Sequence, residues 1–595
     1  MNCCFVHLKR LVPLFTVAGW ITQAGGATLS VTPAVTSNTY AGVITLNIGG
    51  LTNTEKVVVR KYLDLNGNGA IDPGEPLVVQ FKIADGGAMV IGGVTNVNVP
   101  FDSNSATGAI TTSLNCIAKL VFETMVGHYV YEVTSPSTNF PPVTATFGVT
   151  NATLAQSISG IVYSNGVPLP HAVVVAQDQQ ANNPAGGVVA DGGGHFVLTL
   201  PASTYTLISG GPNLYYDFSS APSVTLTNGM AATNDLHVTN GTTTISGNIY
   251  DAANSNGICG TLLTLESGSL FAIAFTDGNG NYSTAVPPSF WKIKPSKERL
   301  ARRAYLVSEA TFQVDATGGN VTNANIVLPK GNALFYGRIT DNAHVPYANL
   351  ELDANTGGND YNGKGYSDSN GNYAVAVLAD GTNYWSCQAE SGQNTALANS
   401  VINTFYSQLL NSNQTVLENF VALPATGRIS GHVQDNSGNP VTGVKLTGNA
   451  QINGNNYQTL DGTTDNSGNY SLAVASGQWS VQFLTGGFSD NLDTHGFVDL
   501  FTPHTVSIPP TNVTLNMTVY PIGTPLISQP QRLSPTQFGF TVNGAPNVSY
   551  TVQASTNLAS TNWANLFSFQ LTNASAFVTD QSATNKTRFY RVQKN

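Results

Sequence analysis

The residues best placed to do chemistry lie between 64 and 75: Asp64-Leu65-Asn66-Gly67-Asn68-Gly69-Ala70-Ile71-Asp72-Pro73-Gly74-Glu75. Oxygen-bearing side chains fall at positions 1, 3, 5, 9 and 12, with Gly at 6 and an apolar residue at 8. That spacing wraps a chain around a hard cation, which needs several oxygens converging on one point. Asp64, Asn66, Asn68 and Glu75 would supply side-chain oxygens, Ala70 its carbonyl, and Asp72 a contact through water. With three carboxylates the expected ion is a structural calcium, held at the extracellular-range affinity of roughly 10⁻⁴–10⁻³ M. Pro73 and Pro76 exclude a helix on the exit side. The flanks, 57–62 and 77–81, alternate as strands, so the loop would tie two strands together. An Asn/Gly-rich turn without metal is the alternative.

Other signatures of catalysis are missing. There is no His-Glu-x-x-His or His-x-x-Glu for a zinc peptidase, no Gly-x-Ser-x-Gly nucleophile turn and no Gly-x-Gly-x-x-Gly phosphate loop. The nine His are scattered, and no pair of carboxylates stands out as a glycosidase couple. Six of the 23 Lys and Arg crowd into residues 292–303. These could meet an anionic polysaccharide, but a solvated helical turn is the simpler expectation. Tyr215, Tyr216, Tyr361 and Tyr366 are expected in Gly/Asn-rich loops and are the candidates for stacking on a polysaccharide or cell-surface glycan.

Composition narrows the class. Only 9% of residues are charged against 41% hydrophobic, with 59 Gly among 595 residues. That is not the low-hydrophobicity, high-charge signature of disorder, and it fits short strands joined by many turns. A net charge of −10 argues against a nucleic-acid partner, which needs a basic face. The length calls for several domains. Lys9 and Arg10 precede an apolar run over 11–20 and small residues to Ala27, so 1–27 reads as a signal peptide and the protein as secreted or at the cell surface. No apolar stretch is long enough to span a membrane. Cys116, Cys259 and Cys387 are spread over separate segments and are expected as buried free thiols rather than a disulfide framework.

Beyond the segment that holds the 64–75 loop, the chain is built from a repeat. Ile158-Ser159-Gly160 recurs as Ile245-Ser246-Gly247, Phe335-Tyr336-Gly337 and Ile429-Ser430-Gly431, in steps of 87, 90 and 94 residues. Each opening is followed by an Asp-x-x-Gly-x-aromatic turn starting at Asp191, Asp277, Asp368 or Asp465. The Asp can bind its own backbone and the Gly can take positive φ. A second aromatic follows at Tyr205, Trp291, Trp385 or Trp479, at one repeat position, so core filling is expected of it. Alternating apolar residues predict half-buried strands of antiparallel sheets. The fold class is therefore all-β: an array of β-sandwiches, each expected to close on itself without sharing strands with the next.

The opening Ile-Ser-Gly, the Pro-led strands at Pro168, Pro346 and Pro440, and the Asp-turn-aromatic together resemble the carboxypeptidase regulatory-like domain. That family is similar to transthyretin-like and starch-binding-like sandwiches. The second copy lacks the Pro strand. The resemblance covers residues 154–520 and implies repeats at 154–239, 240–330, 331–424 and 425–520. The segment 28–150, which holds the calcium-type loop, reads as an immunoglobulin-like sandwich; the loop itself resembles a dockerin-type or EF-hand-like loop set on a hairpin. Residues 521–595 resemble a fibronectin type III-like C-terminal module of large secreted bacterial proteins. Stalks of such sandwiches can carry Lys–Asn cross-links, but three of the four opening-strand regions lack Lys. The reading is a secreted, non-enzymatic protein for carbohydrate binding or surface adhesion, with a non-catalytic accessory part of an extracellular degradative system as the alternative. A hydrolase with its site in the first segment ranks behind both.

Overall fold

The computed structural model describes residues 26–179, 183–310, 312–356, 361–389, 395–405, 407–485, 490–508, 511–545, 547–559, 561–573, 575–585 and 587–595. Residues 1–25 of the expected leader lie outside them. The chain is an all-β, tandem array of β-sandwiches. Its first unit packs a sheet of Thr28–Thr32, Val43–Gly49 and Ile110–Asn115 against a five-stranded sheet. The latter includes Lys56–Asp64, Leu77–Ala84 and Gly127–Thr134. Inward residues of both, among them Leu46, Val57, Val59, Leu63 and Tyr129, form its core.

Within each repeat the opening strand does two jobs. Ser157–Ser164 pairs antiparallel with His195–Leu198 after the Asp turn, and parallel with the closing strands Ala231–Thr233 and Leu236–Asn240. The parallel ladder breaks at the opening Gly, where a carbonyl of the closing segment comes very close. A Cβ on Gly160, Gly247, Gly337 or Gly431 would lie 1.9, 2.1, 1.9 or 1.8 Å from the carbonyl oxygen of Asn234, Ala324, Glu418 or Leu515. Only Gly fits there. That carbonyl is then used: the hydroxyls of Tyr282, Tyr373 and Tyr470 donate to Ala324, Glu418 and Leu515 at 2.5, 2.7 and 2.7 Å. The next residue, Asp235, Asn325, Asn419 or Asn516, accepts the backbone N–H that follows the Gly.

The Asp turns form as their spacing predicts. Asp191, Asp277, Asp368 and Asp465 each accept the N–H groups two and four residues on. The turn glycines have φ of 77, 83, 77 and 77°. Tyr205, Trp291, Trp385 and Trp479 are buried in four separate cores. Tyr205, Trp291 and Trp479 each donate to the carbonyl four residues earlier. Cys116, Cys259 and Cys387 are free and buried.

The sheets do not stop at the seams, contrary to the expectation of closed sandwiches. Leu214–Asp217 of the first repeat pairs with Leu270–Phe275 of the second. Val307–Ser308 pairs with Tyr361–Tyr366 of the third, and Ser400–Asn403 with Asn455–Gln458 of the fourth. Exposed sheet edges carry unpaired N–H and C=O groups, and here the neighbouring repeat satisfies them; the cores also meet across the seams, with Val173 and Ile273 in the first unit's core and Val401 in the fourth repeat's. At the end of the chain, two three-stranded sheets, one holding Gln537–Asn543 and the other Ser549–Ser555, pack around Phe540, Val542 and Val552.

Candidate functional site

The loop at 64–75 joins Lys56–Asp64 to Leu77–Ala84, two paired antiparallel strands. Asp64 is buried, and its carboxylate accepts the N–H groups of Gly67, Asn68 and Gly69 at 2.7, 3.2 and 2.8 Å. Glu75 closes the loop by accepting from Leu65 and Asp72 at 3.1 and 3.0 Å. Asn66 and Asn68 both donate to Asp72 at 2.7 Å. Burial raises the Glu75 carboxyl above the ordinary glutamate range; the Asp64 and Asp72 charges add to this and the two backbone donors oppose it. Three carboxylates and two amides on one tight turn are a donor set that suits a hard cation. Among the described residues no three His, Cys, Asp or Glu side chains form a metal-holding group by themselves, so the amides and the Ala70 carbonyl would have to take part.

The tyrosines are not on loops. Tyr215 and Tyr216 lie in Leu214–Asp217, and Tyr361 and Tyr366 in Tyr361–Tyr366. Tyr216 is buried in the first-repeat core with its hydroxyl donating to Leu207 O at 3.0 Å. Tyr366 is buried against Ile117 and Leu120. Tyr215 and Tyr361 are half-buried against the second- and third-repeat cores. Tyr216 and Tyr366 are thus enclosed, while Tyr215 and Tyr361 keep part of their rings exposed.

The basic segment is also not a solvated turn. Lys297–Ala301 is helical, but Arg299, Leu300 and Ala301 are buried. Glu123 of the first unit receives Arg299 at 3.1 Å and Arg302 at 3.0 Å, while its backbone carbonyl takes the buried Lys61 ammonium at 2.6 Å. Arg299 also donates to Val78 O at 2.7 Å. A neighbouring clamp joins Lys119 of the first unit to Glu351 of the third repeat at 2.6 Å, and Glu351 also pairs with Lys364 at 2.5 Å. The cations thus bind the first unit to two repeats. Their spacing showed a cluster; the acidic partner 176 residues away was not visible in it.

Sequence reasoning missed an open polar face in the fourth repeat. Lys445–Ile452, Asn455–Gln458, Gly477–Phe483 and His504–Ile508 form the end of the sheet shared with the third repeat. Their outward side bears Asn449, Gln451, Gln478, Ser480 and Thr505, around a depression of about 590 Å³ with no charged residue in its lining. Cross-strand pairing puts Asn449 opposite Ser480, and Ser480 opposite Thr505. Amides and hydroxyls both donate and accept, as sugar hydroxyls do. The signal was a strand whose outward positions are all neutral and polar, Gln478-Trp479-Ser480-Val481-Gln482.

No family model and no curated protein matches the chain. Among solved structures, the Bacillus anthracis TIE protein is similar at 13% identity, over 67% of this chain and 75% of its own, with a TM-score of 0.15. A streptococcal ancillary pilin matches at 13% identity over 46% and 98%, TM-score 0.15. BcpA, the major pilin subunit of Bacillus cereus, matches at 11% identity over 62% and 99%, TM-score 0.13. Similarity at this level carries no functional argument.

Proposed function

We propose that the protein is a secreted or surface-displayed, non-enzymatic array of β-sandwiches that serves adhesion by contacting neutral glycans. The observation that carries this is the uncharged amide-and-hydroxyl face of the fourth repeat. It suits a ligand whose own groups are hydroxyls, and several weak contacts along one chain would add through effective concentration. Strand pairing across the seams and the Glu123 and Glu351 clamps favour a stiff presentation of that face. The units are assigned as 28–150, 154–239, 240–330, 331–424, 425–520 and 521–595, the middle four as carboxypeptidase regulatory-like copies and the last as a fibronectin type III-like module.

The test is retention on insoluble neutral polysaccharides and on a glycan array. Wild type is expected to bind and the Asn449→Ala/Gln478→Ala/Thr505→Ala variant to lose binding with its melting temperature unchanged. Binding that survives the triple variant would reject the face, and absence of any glycan binding would reject the reading. We further assign the 64–75 loop as a structural calcium site. Millimolar calcium is expected to raise the melting temperature of wild type but not of Asp64→Ala/Glu75→Ala.

A further inference from the structure

Four cations crowd together where the first unit meets the second repeat. Lys61 comes from the core strand Lys56–Asp64, and Arg299, Arg302 and Arg303 from the basic segment. Lys61 and Arg299 are buried, and Arg302 and Arg303 are half-buried. The negative charge set against them is small. Arg299 and Arg302 share one carboxylate, that of Glu123. Lys61 reaches only the Glu123 backbone carbonyl, beside the rings of Tyr129, Tyr131 and Phe147. Arg303 donates to Cys259 O and Thr261 Oγ1, both neutral. Glu298, the residue before Arg299, accepts from Ser296 and makes no ion pair with the four cations.

No other neighbour makes up the difference. Lys119, Lys364, Glu351 and Asp353 balance among themselves. Burial raises the thiols of Cys116 and Cys259, which therefore stay neutral. Among the described residues, four positive charges thus have a single carboxylate in ion-pair contact. Burial pushes the Lys61 ammonium down to about 8; the Glu123 charge opposes this, and the Arg302 and Arg299 charges add to it. Enclosed charge without counter-charge is costly.

A cleft of about 20 Å³ opens at this point, lined by Glu123 and by all three arginines. Val79, Gln80 and Phe81 wall it on the side of the first unit, and Gly260 on the side of the second repeat. The walls stand close, since a Cβ on Gly260 would lie 3.0 Å from Gln80 N. Arg299 uses its Nη1 for both Val78 O and Glu123, whereas its Nη2 is buried and has no hydrogen-bond partner among the described residues. Space of this size takes one water or one monatomic ion. A water would accept from Arg299 but would leave the charge uncompensated.

We propose that the cleft holds a single halide ion, chloride in ordinary buffers, bound by the guanidinium groups of Arg299, Arg302 and Arg303. The ion completes the joint between the first unit and the second repeat by supplying the counter-charge that Glu123 alone does not. The size of the cleft selects a monatomic anion over an oxyanion or an organic acid. The proposal is independent of the glycan-binding face, which lies in the fourth repeat.

The test is made on the full chain. Crystals grown in sodium bromide and measured at the bromine absorption edge are expected to show an anomalous peak in the cleft. In melts at constant ionic strength, which removes general screening, exchanging gluconate for chloride from 1 to 100 mM is expected to raise the melting temperature by about 2–4 °C. Bromide should act as chloride does. Arg303→Met removes a cation without stranding a carboxylate, and is expected to cut that rise by half or more. A cleft without a bromide peak would overturn the proposal. So would equal melting temperatures in chloride and gluconate, or a chloride effect undiminished in Arg303→Met. The two measurements on wild type decide the matter even if the variant does not fold.

Discussion

Replacing Glu418 with Leu should stabilise the protein, and more so as pH rises. Glu418 is 1% exposed, and neither of its carboxylate oxygens has a hydrogen-bond partner. It occupies the position after the closing strand Thr415–Leu417 where the second and fourth repeats carry Ala324 and Leu515. Its backbone carbonyl has the repeat's usual task, accepting from Tyr373, so only the side chain is out of place. Burial pushes its carboxyl up to about 7 from an ordinary 4.5. A carboxyl that binds its proton more tightly folded than unfolded contributes fully below pH 4.5, and that contribution is lost as pH rises through about 7. The separation between the two values corresponds to roughly 3 kcal/mol lost between pH 4 and pH 8. Denaturant melts of wild type and Glu418→Leu across that range would read it as a difference that is small at pH 4 and grows to about 3 kcal/mol in favour of the variant at pH 8. A variant less stable than wild type at pH 8, or a difference that does not change with pH, would refute the reasoning.

Other perturbations follow from the same contacts. Gly431→Ala would place a Cβ 1.8 Å from Leu515 O, and backbone must move; a loss of about 2–4 kcal/mol in a denaturant melt is expected. Tyr470→Phe removes one hydroxyl bond to Leu515 O and should cost about 1 kcal/mol, since Phe196 fills the corresponding place in the first repeat. Glu123→Ala strands a buried Arg299 and should cost about 3–5 kcal/mol, read in the same melts and as faster proteolysis between the first unit and the second repeat.

Much of the architecture was legible in residues that local physics constrains. The Asp of each turn binds its own backbone, so its role does not depend on distant chain, and the repeated aromatics had to fill cores of a fixed size. The opening Gly was visible, but its reason was not, because the carbonyl that forbids a Cβ comes from a closing strand 70 to 90 residues later. The Asp or Asn after that carbonyl recurs four times and could have been found once parallel pairing was supposed. The tyrosines at 215, 216, 361 and 366 were misplaced because Gly and Asn nearby suggested loops, whereas they sit in strands that pair across a seam or beside one. The basic segment misled because a charge cluster says nothing about a partner, here Glu123, that the fold brings close. The double-sided apolar strands at 173–176 and 270–275 were a readable signal of a further layer.

The central claim is that the repeats are joined by strand pairing into one stiff array rather than strung as closed sandwiches. Amide hydrogen exchange at the seams tests it most directly, at Tyr215 to Asp217 against 270–272 and at Ile402 and Asn403 against Tyr457 and Gln458. The account predicts that the amides bonded across these seams exchange as slowly as those within each repeat's own sheets. Exchange at the rate of exposed edge strands, with the repeat interiors still protected, would contradict it.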